Sequence, residues 1–308
     1  MGSIAFDTIH APSGTAECVL GGSVNFFSVA ASLFSPVQVV GVVGEDYPKK
    51  HLEYLASRSI DINGISVQKG KTFHWRGSYE KNLNEAETLS TCLNVFENFN
   101  PVLSEEQAAA EYVFLANIDP VLQLRVLDQV KNPRLVACDT MNFWIRGKRE
   151  ELLRTLKRVD VLCVNEGEAY LLADQGSGAR SITQAAEVIR KMGPKILVIK
   201  RGEYGANLYT DAGIFVAPAH PVRTVIDPTG AGDSFAGAFM GYLAKAGADR
   251  KMADEDLPQW DSLLRNAVVT GCVLSSFTVE DFSLHRLMKL EYAELMERRK
   301  AHIAMMAI

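Results

Sequence analysis

A surplus of basic charge is missing from this chain. Its 32 Lys and Arg face 37 Asp and Glu for a net charge of -5, and no basic cluster is interleaved with aromatics, so a nucleic-acid surface is not expected. Paired cysteines are missing too. The five present, Cys18, Cys92, Cys138, Cys163 and Cys272, are odd in number, scattered and mostly set in apolar runs such as LVACD and VLCVN. They read as buried free thiols in a reducing compartment. The six histidines lack a metal-ligand spacing such as HxxxH. No hydrophobic run is long enough for a bilayer: the longest, Ala231 to Ala244, is short and rich in Gly and Ala. The start lacks a basic segment followed by an apolar one, so no secretion signal is expected and a cytoplasmic location is. Repeats and low-complexity tracts are absent as well.

What the chain does have is length and apolar content. With 308 residues and 47% hydrophobic side chains it can bury a substantial core as one large α/β domain, 1–308. Continuous apolar runs at Tyr112 to Leu115, Leu135 to Cys138, Val159 to Val164 and Ile196 to Lys200 predict strands covered on both faces. Helical segments between them predict a parallel sheet between helix layers. Residues 64–97 alternate polar with apolar or β-branched residues between Gly, Lys and Asn turns, which predicts a small sheet projecting from that domain, as a lid or as a surface meander. The segment Gly41 to Asp46, GVVGED, lacks the third glycine and the spacing of a dinucleotide fingerprint, which argues against a Rossmann dehydrogenase.

The stretch from Thr224 to Ala244, TVIDPTGAGDSFAGAFMGYLA, organises the rest. It reads as strand (Thr224 to Ile226), turn and helix N-terminus. Gly230, Ala231 and Gly232 carry almost no bulk, so an anion can approach the unpaired amides of a first helical turn. Asp233 adds a carboxylate in that field. A helix cap alone explains Asp233, but not two glycines and an alanine before it. Phosphoryl transfer explains both, because it needs donors around an anion in flight and a carboxylate to take a proton.

DPTGAGDSFAGAF resembles the C-terminal signature of the ribokinase-like (PfkB) family of carbohydrate and nucleoside kinases. The resemblance covers nearly the whole chain and implies a three-layer α/β/α fold with a central, mostly parallel sheet and a small β-sheet lid, here about 8–20 and 64–97. It implies Asp233 as catalytic base, with Gly230, Ala231 and Gly232 as the anion hole. Asp227 and Thr229 match positions that in several members hold an activating monovalent cation such as K+. Gly2 and Asp7 match a G-x-x-x-x-D pattern whose Asp binds substrate hydroxyls. That match places the start inside a central strand whose first half is then missing, through a shortened or misassigned beginning. Gly21, Gly22 and Ser23, with Asn25, fall where the family holds its acceptor.

Asn117, Asp139 and Asn142 stand at carboxyl ends of strands, where ligands of such sheets collect, although Asn and Asp also favour turns. Asn165 to Glu168 matches the N-x-x-E motif, whose acid organises Mg2+ largely through water. Favourable first-turn acids of a helix are the plain alternative. Lys200, Gly202 and Gly205 resemble the nucleotide-phosphate loop, and Asn266 lies where relatives contact the nucleotide. A final amphipathic helix is expected over Leu284 to His302.

The resulting expectation is an ATP- and Mg2+-dependent kinase of a sugar hydroxyl, with a homodimer paired through the lid. A nucleoside kinase is the alternative, with Phe26, Phe27, Phe73 or Trp75 stacking on a base or merely filling the core and lid. A non-catalytic nucleotide-binding regulator is the rival from a different class.

Overall fold

The computed structural model describes residues 1–84, 86–174 and 178–307. The chain opens with β1 (Ala5–Ala11), β2 (Gly14–Gly21), α1 (Ser23–Ser32), β3 (Val37–Gly44), α2 (Lys49–Ser57), β4 (Ile60–Gln68), β5 (Phe73–Ser78) and β6 (Glu87–Cys92). It continues through α3 (Glu105–Ala108), β7 (Tyr112–Leu115), α4 (Pro120–Leu127), β8 (Leu135–Asp139), α5 (Asn142–Gly147), α6 (Arg149–Leu156), β9 (Val161–Asn165) and α7 (Glu166–Ala173). After α8 (Ile182–Arg190) come β10 (Ile196–Lys200), β11 (Ala206–Thr210), β12 (Gly213–Ala217), α9 (Ala231–Lys245), α10 (Met252–Glu255), α11 (Leu257–Thr278) and α12 (Tyr292–Met306).

A six-stranded sheet runs in the order β12-β11-β10-β9-β8-β7, parallel from β7 to β10 and antiparallel at β11 and β12. The continuous apolar strands are covered on both faces, because successive side chains point to opposite sides. Leu135 and Ala137 of β8 join Phe235, Phe239 and Trp260 in one core, whereas Val136 and Cys138 join Leu152, Leu156 and Leu172 in the other. β3 and β4 pair in parallel beside this sheet. The main chain at residues 1 and 2 bonds to both neighbours: Gly2 N–H donates to the Val40 carbonyl at 3.3 Å, and Ala116 N–H to the Met1 carbonyl at 2.9 Å.

A separate four-stranded sheet has the order β2-β1-β5-β6, with β1 and β5 parallel. Its outer strand β6 is exposed along its whole length. This sheet takes up residues 73–92 of the alternating segment, while residues 64–68 belong to β4 and pair with β3.

Three local expectations change. Thr224 to Ile226 forms no strand: the Ile226 N–H donates to the Val279 carbonyl at the end of α11, so its partner is a helix terminus and not a sheet edge. The final helix begins later, as α12, because Leu284, Leu287 and Leu290 recur every three residues and bury through a 3₁₀ turn at Leu287–Lys289. Cys18 and Cys92 are exposed on the four-stranded sheet, whereas Cys138, Cys163 and Cys272 are buried as expected. No helix among the described residues is long and apolar enough to cross a membrane.

Candidate active site

The turn before α9 is shaped by its small residues. Gly230 has φ 74°, a left-handed conformation that disfavours a β-carbon, and a side chain there would strike the Phe26 ring. Gly237 and Gly241 serve a different purpose, letting α9 press against the backbone of α1 at Phe27 and Ala31. The glycines of this stretch therefore divide between a turn and a helix contact. Asp227 fixes the turn from below: it is fully buried, one oxygen accepts Thr229 N–H at 2.8 Å and the other accepts Ser283 N–H at 2.9 Å. The Thr229 hydroxyl donates to the Tyr79 hydroxyl at 3.3 Å, which joins the end of the four-stranded sheet to the same turn.

Asp233 sits half-buried in the first turn of α9. Desolvation pushes its carboxyl up to about 6, against the pull of Lys200 and its own amide. Asp7 on β1 is buried and lies directly across Gly21, where any β-carbon would overlap its carboxyl. Desolvation, with the neighbouring Asp227, pushes Asp7 up to about 8, although a Gly22 amide bond opposes the rise. Gly22 has φ 84°, and a β-carbon there would lie 2.6 Å from the Ser3 carbonyl oxygen.

Lys200, the last residue of β10, reaches the same place, its Nζ 2.7 Å from where a β-carbon on Gly232 would be. Burial disfavours its charge, but Glu168, Asp139, Cys163 and Asp233 together raise its pKa. Asp139, at the end of β8, is buried, and its Oδ1 has no hydrogen-bond partner among the described residues. Burial and the Asp233 charge raise its pKa well above the usual carboxylate range. Asp139 and Lys200 at the ends of β8 and β10 and Asp233 at the start of α9 thus share one poorly hydrated region, with Asp7 of β1 feeling the Asp233 charge more weakly, where a bound anion and a hydroxyl could be held together.

The other expected site residues have the following partners within the protein. Ser23 exchanges hydrogen bonds with Ser3, and Asn25 donates to the Gly21 carbonyl at 2.7 Å while accepting from Tyr47 at 3.4 Å, so both brace the glycine pair. Asn117 accepts from Trp144 Nε1–H at 3.0 Å and donates to Met141 Sδ at 3.2 Å. Asn165 and Glu168 form a reciprocal capping box on α7, with bonds of 2.7 and 2.8 Å. Gly202 and Gly205 have φ 54° and 91° and turn the chain after β10. The Asn84 side chain, in the loop after β5, lies where a β-carbon on Gly202 would go. Asn266 donates to the Ser262 carbonyl and accepts from Arg299 of α12 at 2.6 Å. The sequence reading passed over Tyr79 and Arg299; only the position of Tyr79 just after a strand of the small sheet hinted at its reach. A cavity of about 410 Å³ between β3 and β7 is lined by none of these carboxylates. Among the described residues no group of three or more His, Cys, Asp or Glu is placed to hold a metal ion directly.

Comparison with known proteins identifies the family. Residues 3–284 match the model of the pfkB family carbohydrate kinases. A cytidine kinase of Thermococcus kodakarensis is 31% identical over 249 residues, spanning 79% of this chain and 87% of the relative. The crystal structure of a nucleoside kinase of Methanocaldococcus jannaschii has a TM-score of 0.74 at 21% identity, covering 98% of this chain and 97% of its own. A structure assigned to ribokinase II of E. coli, with ATP and Mg2+ bound, has a TM-score of 0.77 at 19% identity and covers 98% of both chains. These neighbours share the ribokinase-like α/β fold. The chain belongs to the pfkB family of carbohydrate kinases and is, as a kinase of that family, an ATP-dependent phosphotransferase.

Proposed function

We propose that the protein transfers the γ-phosphoryl group of ATP to a hydroxyl on the sugar of a nucleoside. The observation that carries the reading is Asp233, a carboxylate that desolvation pushes up to about 6, in the first turn of a helix that follows a left-handed glycine and has the Lys200 ammonium beside its Gly232. Asp7 holds the acceptor hydroxyls against the amides near Gly21 and Gly22. Asp233 orients the reacting hydroxyl and takes its proton late, as the new O–P bond forms and the bond from the γ-phosphorus to the bridging oxygen breaks. ADP leaves, and the proton passes from Asp233 to solvent. The amide of Gly232, with the Lys200 ammonium, stabilises charge on the group in flight.

The residues present suit a nucleotide with Mg2+. Left-handed glycines at 202, 205 and 230 turn the chain after β10 and before α9, Lys200 supplies fixed positive charge, and Glu168 and the unpartnered Asp139 Oδ1 supply hard oxygens near it. Mg2+ would neutralise phosphate charge there, held largely through water by Glu168. The four-stranded sheet, tied to the phosphate turn through Tyr79, acts as a lid that keeps water from the phosphoryl group, and its exposed face serves pairing with a second copy. Asp227 and Thr229 remain the positions for a monovalent cation, although both Asp227 oxygens already accept amide protons.

The acceptor assignment draws on the cytidine kinase relative, 31% identical. A coupled ADP-release assay across pentoses, hexoses, sugar phosphates and nucleosides tests it. Turnover on nucleosides well above that on free pentoses supports it; turnover on ribose with none on any nucleoside replaces it with the sugar reading.

A further inference from the structure

Of the six histidines His302 alone is buried, with 1% of it exposed, towards the C-terminal end of α12. Its ring faces that of His220, in the loop after β12, with centroids 5.5 Å apart and planes at 59°. Buried ring nitrogens are normally hydrogen-bonded. Here, among the described residues, neither nitrogen of His302 nor Nδ1 of His220 has a partner in good geometry; the Pro218 carbonyl is the group that favours a proton on His302.

The charges that act on the pair oppose protonation. α12 brings Arg298 and Arg299, and both are tied to α11. Arg298 lies 3.4 Å from the Phe277 ring centroid and donates to Ser276 Oγ at 3.0 Å, while Arg299 donates to Thr270 Oγ1 at 2.9 Å and to Asn266 Oδ1. Their guanidiniums are thereby held in place beside the two rings. The one acid acting on the pair, Glu280 just after α11, is already matched by Arg298 at 2.8 Å and Arg286 at 3.2 Å. From α11 come the neutral Asn266, Thr270 and Ser276. Desolvation, followed by Arg298 for His220 and by His220 and Arg299 for His302, holds both imidazoles below their ordinary pKa.

We propose that His220 and His302 form an acid-released latch: as neutral imidazoles they pack α12 against the loop after β12, and proton uptake undocks the C-terminal half of α12. The docked state resists the added protons, whereas rings released into water accept them, so opening is coupled to proton binding. Docking is fully stabilised above about pH 6.5, the ordinary imidazole value, and weakens as pH falls below it. Opening releases the Asn266 side chain from Arg299 and loosens the loop that runs from β12 to the Asp227 turn. The latch therefore links an outer helix to the turn before α9.

Hydrogen exchange of the full chain, read by mass spectrometry on peptides of α12 at pH 7.5 and 5.5 and corrected for intrinsic exchange rates, tests the latch. Turnover does not, because Asp233 titrates in the same range. In the wild type the opening equilibrium of α12 should rise roughly tenfold at pH 5.5, against a ceiling of about 100-fold for two imidazoles. The double variant His220→Gln/His302→Gln should show little change, and His220→Gln alone, which leaves α12 unaltered, a rise between the two. Wild-type protection of α12 that is the same at both pH values overturns the latch. An equal rise in the wild type and both variants overturns it too, by assigning the effect to other groups. A wild-type loss spread equally over α9 and α11 overturns it as well, since the whole fold is then opening. Should the double variant be undocked at both pH values, the single variant decides, and a rise as large as that of the wild type overturns the latch.

Discussion

The Lys200 ammonium lies 2.7 Å from the point that a β-carbon on Gly232 would occupy, so the glycine's missing side chain is what lets a cation stand at the N-terminus of α9. Gly232→Ala therefore displaces the flexible end of Lys200 and leaves the helix backbone unmoved. Because a charge-assisted hydrogen bond contributes about 1.5–3 kcal/mol, turnover should fall roughly 10- to 100-fold, with the melting temperature nearly unchanged. Lys200→Met should produce a loss of the same order. Steady-state kinetics alongside thermal melting checks both; a Gly232→Ala enzyme with full turnover would mean that Lys200 does not act on the phosphates.

As the proposed proton acceptor, Asp233 should set the acid limb of the pH profile. Only its ionised form accepts a proton, and its pKa is pushed up to about 6 by desolvation. Below pH 6 kcat/KM should drop about tenfold per unit, and above it the profile should level off. Asp233→Asn should lose roughly 10²- to 10⁴-fold in turnover and lose this limb, while still binding ATP. A pH-rate profile of both proteins, with nucleotide binding measured separately, decides the matter.

How much of this was legible in the sequence depends on how local each feature is. The turn at Gly230 and the helix after it could be read because small residues and an acid at a helix start are neighbours in sequence. Parallel strands were legible because burial on both faces leaves continuous apolar runs. The brace from Asp227 to Ser283 spans 56 residues and that from Tyr79 to Thr229 spans 150, and neither leaves a local pattern. Ser23 and Asn25 matched acceptor positions, yet their polar atoms are used inside the protein, a distinction that only neighbours in space can make. Thr224 to Ile226 looked like a strand by composition but found no sheet edge to pair with.

Asp7 should make the fold less stable as pH rises. Its folded pKa is raised from the ordinary 3.8 to about 8, chiefly by desolvation and then by Asp227. A raised carboxyl pKa means the unfolded chain ionises first, so the stability present below about pH 4 is progressively lost until about pH 8. Asp7→Asn removes this slope. The variant should be more stable than wild type at pH 8.5, by on the order of a few kcal/mol, with the gap shrinking towards pH 5, although acceptor affinity falls. Urea unfolding at both pH values reads the difference; a gap that does not change with pH would show that Asp7 is ionised in the native state at neutral pH.

Asp227 should matter for stability as much as for activity. Its two oxygens accept from Thr229 and Ser283, and the Ser283 hydroxyl donates onward to the Leu20 carbonyl on β2. One carboxylate therefore holds the turn before α9, the segment after α11 and the strand leading to the Gly21–Gly22 pair. In Asp227→Asn one of the two acceptors becomes a donor, which sets an amide NH₂ against a main-chain N–H in a fully buried place. Leaving such a group unsatisfied costs about 1–3 kcal/mol, and a domain of 308 residues loses roughly 1.5 °C in Tm per kcal/mol. The melting temperature should drop by a few degrees, and KM for both the acceptor and ATP should rise together, because the proposed site sets both against this turn. Scanning calorimetry and two-substrate kinetics on Asp227→Asn check this. An unchanged Tm with only one KM affected would show that the carboxylate acts on a ligand and does not hold the three segments together.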